Sequence, residues 1–548
     1  MKMFHRFLLI SSLFLAWGTA QAQEEPPSIY GESIDVRVVN VEVVVTDGSG
    51  NRVTDLRPED FLLKVDGKEV PIEYFTEVRS GQAVPATPAA PGAEAAPATS
   101  VEPGGAVGTS YLVFIDDFFP IELRRNEVLR ALQKDLAQLR PEDRMAIVAW
   151  DGGKVSVVSN WSSSQSQLSR ALDVAMGRKA RGLDRGTEHR SFRNDISFST
   201  QNVGDETPLS LISRIDSASL SGPEVAYADM LSRQIEGAVS AAVSAMRGFA
   251  APSGRKVMLL LSGGWPYSVT SYVRGGAIPP LSREVPDGEE LLRPLANTAN
   301  LLGYTIYPVD VPGIETVVAS AETTAPTTVN SFPEQEVEGS LRFLARETGG
   351  TALVNSNRIV ALAKTSSDVS SYYWLGITPA WQRDDQRHKV KVEVRRPGLE
   401  VRSRTGFLDL SKKAEVSMAV ESALLFGGFP GTAPLPLKLG TPVRKRRGTV
   451  EIPMTLGIPA SLFTTVPHEG QMAAQLELRF AASDNEGNSS DLPVIPLTFA
   501  GEKPPAEGGF VRYETKVTLR GKADNLVVAV YDPVSGRMAT AEARVPTR

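Results

Sequence analysis

The sequence predicts a multidomain α/β plus β chain: a doubly wound, mostly parallel sheet flanked by a small N-terminal β domain and a C-terminal β-sandwich. Three observations predict it. Between residues 109 and 371, short apolar runs alternate with amphipathic helical segments, the pattern of repeated strand–helix units. Before and after that region, helical periodicity gives way to period-two alternation around turn residues. The chain's 548 residues also exceed what one core supports, so about three or four domains are expected.

Residues 1–22 read as a secretory signal peptide. Lys2 and Arg6 flank the start of an apolar run, Phe7–Gly18, and Ala20-Gln21-Ala22 is a small-x-small site, so cleavage after Ala22 is expected. That places the remaining chain in the periplasm or outside the cell. No later stretch approaches eighteen apolar residues, so no stable membrane insertion is expected. Loss of Lys2 and Arg6 takes the formal charge from −6 to −8; a mildly acidic chain is a poor nucleic-acid binder, and no nucleic-acid partner is expected. The chain has no Cys, which excludes disulfides, thiolate catalysis and sulfur-ligated metals.

The small β domain is expected over residues 30–78. It contains the Val-rich run Ile34–Thr46, the turn Asp47–Asn51, and Asp66-Gly67 as a hairpin signal. Residues 79–108 are rich in Pro, Ala and Gly and read as a linker, with a reach of about 30 Å as a coil. The α/β domain follows over 109–371. Its strands are expected at Tyr111–Ile115, Lys256–Ser262 and Tyr304–Asp310, and a hairpin over Arg144–Ser159. One of its helices, Ile121–Leu139, carries Val128, Leu129, Leu132, Leu136 and Leu139 at spacings of three and four. A polar, irregular segment, 177–222, reads as an insertion. A β extension over 372–412 and an Ig-like sandwich over 415–548 complete the chain.

Several segments in register resemble a known family. "YLVFIDDF" (Tyr111–Phe118), "GRKVMLLLSGG" (Gly254–Gly264), "LARETGGTALV" (Leu344–Val354) and the segment from Tyr372 to Phe407 resemble von Willebrand factor type A (VWFA-related) domains. More narrowly, they resemble the VWFA-related secreted proteins of acidobacteria. "VVVTDGSGNRVTDLRPEDFLLKVDGKEVPIEYF" (Val43–Phe75) is similar to that family's β preface. The likeness covers most of 35–410. It implies a binding domain whose usual metal-ion-dependent adhesion site holds a divalent cation at the carboxyl ends of the strands, with an Asp-x-Ser-x-Ser loop after the first strand and an Asp after the fourth. Carried over by residue, Asp116 matches the first Asp. Phe118 and Pro120 stand where the serines belong, and Gly263 where the second Asp belongs. The site is therefore degenerate, and neither a metal nor any other cofactor is expected.

The crevice beyond the carboxyl ends of such strands is still the default binding place. The residues delivered there are Asp116, Asp117, Phe118, Phe119, Trp150, Asp151, Ser262, Trp265, Tyr267 and Asp310. They are aromatic and acidic, and aromatic side chains anchor interfaces. They are expected to form a metal-independent contact surface for an unidentified protein or glycan. The alternative is that Phe118, Phe119 and Trp265 are local core capping the sheet edge.

Enzymatic motifs are missing. His189, His388 and His468 lie far apart in sequence, and neither His-Glu-x-x-His, Gly-x-Ser-x-Gly nor a phosphate loop occurs. Asp484–Asp491 reads as a turn, and two basic groups, Arg444–Arg447 and Arg181/Arg185/His189/Arg190/Arg193, read as solvated loops or contacts with an anionic partner. The expected function is non-enzymatic: adhesion or scaffolding. The alternatives are a secreted hydrolase with a cleft near 177–222, and an assembly factor for a cell-envelope complex.

Overall fold

The computed structural model describes residues 38–84, 105–201, 222–249, 254–311 and 332–545, apart from gaps at 264, 275–284, 287, 380–381, most of 412–432, 446–447, 469, 485–493, 507 and 521–522. The signal-peptide segment, most of the expected linker, residues 202–221 of the expected insertion, Arg446 and Arg447 of the basic run and the Asp484–Asp491 turn beyond its first residue lie outside the described residues. The described part of the insertion is not irregular, since Gly182–Gln201 is a helix.

The first strands are β1 (Val39–Asp47), β2 (Phe61–Val65), β3 (Lys68–Glu69), β4 (Tyr74–Arg79) and β5 (Gln82–Ala83). The strands after the α/β region are β11 (Tyr372–Ile377), β12 (Gln386–Val394), β13 (Leu399–Ser403) and β14 (Gly406–Asp409). The two groups form one sandwich. One sheet runs β13-β1-β11-β4-β5 and the other β14-β12-β2-β3, enclosing Val41, Val43, Leu63, Tyr373, Leu375 and their neighbours. The separate N-terminal β domain and β extension are thus corrected to a single unit. The physical reason is that neither half can bury its apolar face alone: Val41 pairs with Leu375 and Leu63 with Val392 across the chain. The linker boundary moves too, because β5 adds to β4 and Gln82 bridges Ala106.

Between these halves sit β6 (Thr109–Asp116), α1 (Glu122–Asp135), β7 (Arg144–Trp150), β8 (Val155–Ser162), α2 (Gln165–Met176), α3 (Gly182–Gln201) and α4 (Gly222–Gly248). β9 (Arg255–Ser262), α5 (Val269–Arg274), α6 (Gly288–Leu302), β10 (Tyr304–Asp310), α7 (Phe332–Thr348) and α8 (Ala361–Asp368) follow. The sheet order is β10-β9-β6-β7-β8. β10, β9, β6 and β7 pair in parallel and β8 is an antiparallel edge. Helices pack on both faces, over Leu112, Phe114 and Leu260 on one and Val113, Ile115 and Leu259 on the other. That is why the strand runs are continuously apolar.

The C-terminal region pairs Thr449–Pro459 with Phe510–Arg520, and Gln471–Asp484 with both Val494–Gly501 and Ala523–Tyr531, all antiparallel. Its inner faces share one core around Leu456, Leu476, Leu478 and Val528.

The predicted fold class is corrected accordingly. A doubly wound, mostly parallel sheet does not organise the chain: the sheets are mostly antiparallel, and only five of the 24 described strands lie in the sheet that holds the parallel run β10-β9-β6-β7. Outside it, several antiparallel pairs join strands far apart in sequence, such as β1 with β11 and β2 with β12, so the local strand–helix alternation of one segment does not set the class of the whole chain. Among the described residues, no helix is long and apolar enough to cross a membrane.

The sandwich docks beside the amino ends of β9 and β10. Glu42 pairs with Arg255 at 3.4 Å and accepts the Thr305 hydroxyl at 2.9 Å. Asp368 is bound by Arg52, by Arg402 at 2.6 Å and by the Tyr307 hydroxyl at 2.5 Å. Burial opposes ionisation of Asp368, yet the guanidiniums of Arg402 and Arg52 hold its carboxyl down at about 2. This docking leaves the carboxyl ends of the parallel strands at the other end of the sheet.

Candidate functional site

β6 ends at Asp116, and the chain turns immediately. Asp116 is fully buried and its carboxylate is saturated. Oδ1 accepts the backbone N–H groups of Phe118 (2.9 Å) and Phe119 (3.3 Å), while Oδ2 accepts Ser262 Oγ (2.9 Å) and Trp265 Nε1 (3.1 Å). The first acid of the strand end thus ties its own loop to the end of β9. Burial pushes the Asp116 carboxyl up to about 6, against the pull of those donors.

Asp117, just past the strand, points elsewhere. It lies between Arg125 Nη1 at 2.5 Å and Arg178 Nε at 2.6 Å. Arg125 is fully buried and also donates to the carbonyls of Met176 (3.3 Å) and Arg178 (2.6 Å). One ionic cluster therefore joins β6, α1 and the segment after α2. Burial raises the Asp117 carboxyl and the two guanidiniums oppose that rise.

The loop Phe118–Pro120 lies flat over the sheet end because three glycines make room for it. A Cβ at Gly263 would meet Pro120 N at 2.6 Å, one at Gly182 would meet the Pro120 carbonyl carbon at 2.4 Å, and one at Gly152 would meet the Phe118 ring at 2.3 Å. Gly152 also has φ of +101°, a backbone region that favours glycine. The Phe118 ring packs against Trp150 (centroids 5.4 Å apart) and Phe119 (5.1 Å), and the Arg185 guanidinium lies 4.8 Å from its centroid.

This geometry corrects most of the expected contact surface. Asp116, Asp117, Phe118, Trp150, Ser262 and Trp265 are buried, and Phe118, Trp150 and Trp265 share the core cluster over one face of the mixed sheet. They meet the protein interior, because the loop folds down instead of standing up. Phe119, Asp151, Tyr267 and Asp310 keep partial exposure. Asp151 caps its own turn through the N–H groups of Gly153 (3.0 Å) and Lys154 (2.8 Å), and Asp310 pairs with Arg358 at 3.7 Å. Tyr267 packs on Phe343, with centroids 5.8 Å apart. Of these four partly exposed residues only Phe119 and Tyr267 are aromatic, and both pack against the core cluster of that face. At the degenerate metal positions, the Phe118 side chain is packed away, and the space a Gly263 side chain would need is filled by backbone.

Sequence reasoning missed two features. Arg125 is the first. It precedes Val128, Leu129 and Leu132 by three, four and seven residues, so it falls on the buried face of α1; a cation on an apolar stripe was the available signal. The second is an aromatic group where α3 crosses α4 and α5. Phe192 stacks on Tyr227 with centroids 4.1 Å apart, and His189 lies 5.8 Å from Tyr227 and 5.3 Å from Tyr272. His189 Nδ1 and the Tyr227 hydroxyl are 3.1 Å apart. All four side chains are half-buried. No spacing in the sequence announces this group, since its members come from three helices.

The shifted Asp116 carboxyl gives a pH prediction. Its folded value, about 6, lies above the ordinary 3.8, so its contribution to stability is full below about pH 4 and is lost as pH rises through about 6. Asp116→Asn, which cannot ionise, should therefore show a flatter dependence of unfolding free energy on pH between about 4 and 6 than the wild type. Urea midpoints across that window check this, and parallel curves would contradict it.

No protein-family model matches the chain, and neither does any curated protein. Solved structures give weak likenesses. The N-terminal domain of TFIIH p34 is 15% identical over 47% of this chain and 97% of its own, with a TM-score of 0.23. The open conformation of the pilus adhesin SpaC from Lactobacillus rhamnosus GG is 8% identical over 80% of this chain and 56% of its own, with a TM-score of 0.26. The PilB minor pilin from Streptococcus sanguinis is 10% identical over 62% of this chain and 87% of its own, with a TM-score of 0.21. At such scores none of these likenesses decides fold or function.

Proposed function

We propose that this chain is a non-enzymatic interaction protein of the cell envelope or exterior, an adhesion or scaffold module that holds a macromolecular partner. The observation that carries this reading is the half-buried aromatic group of His189, Phe192, Tyr227 and Tyr272. Half-buried aromatic side chains are the anchors that interfaces favour, because they offer large, rigid contact area. The alternative, chemistry at the strand ends, has little to work with. Asp116 is saturated by four donors and Asp117 is neutralised by two guanidiniums.

Saturable retention of the purified full chain on cell-envelope fragments tests the reading. Tyr227→Ala and Phe192→Ala should each weaken retention about tenfold or more, the scale of an interface anchor, in variants whose circular dichroism matches the wild type. Retention unchanged in both variants would overturn the proposed surface. Turnover of generic ester, peptide or glycoside substrates by the purified chain would overturn the non-enzymatic reading.

A further inference from the structure

A second polar cluster lies in the split sandwich, away from the strand ends. β12 and β14 pair antiparallel, with His388 opposite Phe407 and Gln386 opposite Asp409. The turn before β12 brings Asp384 onto the same spot. One ligand atom from each of Asp384, His388 and Asp409 lies within 4.8 Å of the others.

Two details go beyond proximity. Asp409 is only 1% exposed. Its Oδ2 accepts the N–H groups of Gln382 (2.6 Å) and Arg383 (2.8 Å), but its Oδ1 meets no hydrogen-bond donor. A buried carboxylate oxygen without a partner is costly and calls for one. Oδ1 is therefore the oxygen that Asp409 can offer to the cluster. Secondly, the His388 ring is held in place. Nδ1 lies 2.7 Å from Asp66 Oδ2, and the ring stacks on Phe407 with centroids 5.1 Å apart. Asp66 is itself fixed, accepting Lys389 N–H on Oδ1 at 2.8 Å. A carboxylate at Nδ1 selects the tautomer with its proton there, so the lone pair falls on Nε2, 3.8 Å from Asp384 Oδ1. A carboxylate that orients an imidazole from behind is the usual support of a metal-binding histidine.

We infer that Asp384, His388 and Asp409 form a binding site for one divalent transition-metal cation, with Asp66 as the positioning residue behind His388. One imidazole nitrogen and two carboxylate oxygens suit Zn²⁺ and its neighbours in the first transition row. Ligand atoms around such an ion, at about 2.1 Å from it, stand roughly 3–3.5 Å apart. The 3.8 Å between Nε2 and Asp384 Oδ1 thus closes with a small side-chain shift. Asp384 is exposed and supplies the entry side, and a fourth position remains for water or a partner's donor. The ion would clamp the turn at 382–385 onto β12 and β14, where one half of the split sandwich leaves for the C-terminal region.

The test uses the full chain, stripped with chelator and titrated with zinc chloride alone by calorimetry, then with Co²⁺ followed by visible absorption. One equivalent of Zn²⁺ should bind, and Co²⁺ should show the d–d bands of a site with nitrogen and oxygen ligands. Asp384→Asn and His388→Gln should each lose at least about tenfold in affinity, and Asp66→Asn about 10–100-fold with the ligand set intact. His468→Gln, a histidine of the C-terminal region, should bind as the wild type does. Absence of saturable uptake by the wild type would overturn the site. So would uptake unchanged in Asp384→Asn and His388→Gln, since the ion would then sit elsewhere; the exposed position of Asp384 keeps that variant informative if His388→Gln folds poorly.

Discussion

Asp117→Ala should destabilise the α/β unit by about 3–5 kcal/mol, because it leaves the Arg125 guanidinium buried without its counter-charge. Both side chains have no exposure to solvent and stand 2.5 Å apart, so water screens little of the loss. Arg178, at 23% side-chain exposure, can turn outward; Arg125 cannot. Pairing Asp117→Leu with Arg125→Met should recover most of the loss, since apolar groups of similar volume often replace a buried ion pair at little cost. Urea unfolding of the wild type, the two single variants and the double variant measures the coupling. A single-variant loss under about 1 kcal/mol would mean that the pair behaves as a surface pair does.

Trp265→Ala should cost about 3–5 kcal/mol, the range for emptying a large aromatic site in a core. Among the described residues, Trp265 is the largest fully buried side chain, and its Nε1 donates to Asp116 Oδ2 at 3.1 Å. Trp265→Phe separates the two contributions. It keeps most of the packing, leaves Ser262 alone on that oxygen, and should cost only about 1–2 kcal/mol. The folded fraction of either variant should be retained on envelope fragments as the wild type is. Weakened retention at unchanged stability would return Trp265 to the contact surface.

Part of this architecture was legible in the sequence. Tyr111–Ile115 and Lys256–Ser262 could be read as strands because burial on both faces leaves an apolar run that needs no alternation. The turn at Gly152-Gly153 gave the antiparallel edge β8, which pairs with β7. Other parts were not legible, for reasons of distance along the chain. The orientation of Phe118 depends on Gly152, Gly182 and Gly263, three residues from separate segments whose common property is a missing side chain. The single β sandwich depends on pairings such as Val39 with Ile377, which period-two alternation is equally compatible with in either of two separate domains. Asp409 and His388 converge through register across a strand pair, and register has no spacing signature. Arg125 was the opposite case: its place on the α1 stripe was readable from position alone.

The split sandwich also dictates an order of events during folding. β1 begins with its valines exposed, and Val41 gains its sheet neighbour Leu375 only once the chain beyond the whole α/β segment is present. Tyr373, which both accepts from Leu56 N and donates to the Val53 carbonyl, closes loops of 317 and 320 residues. Contacts that distant form slowly unless something shortens the path between their ends. The α/β unit is that shortcut. Once folded, it brings Gly81 and Ser370 together, 2.8 Å apart from nitrogen to oxygen, and the nascent edge of β1 then pairs within its own chain before a neighbouring chain can reach it.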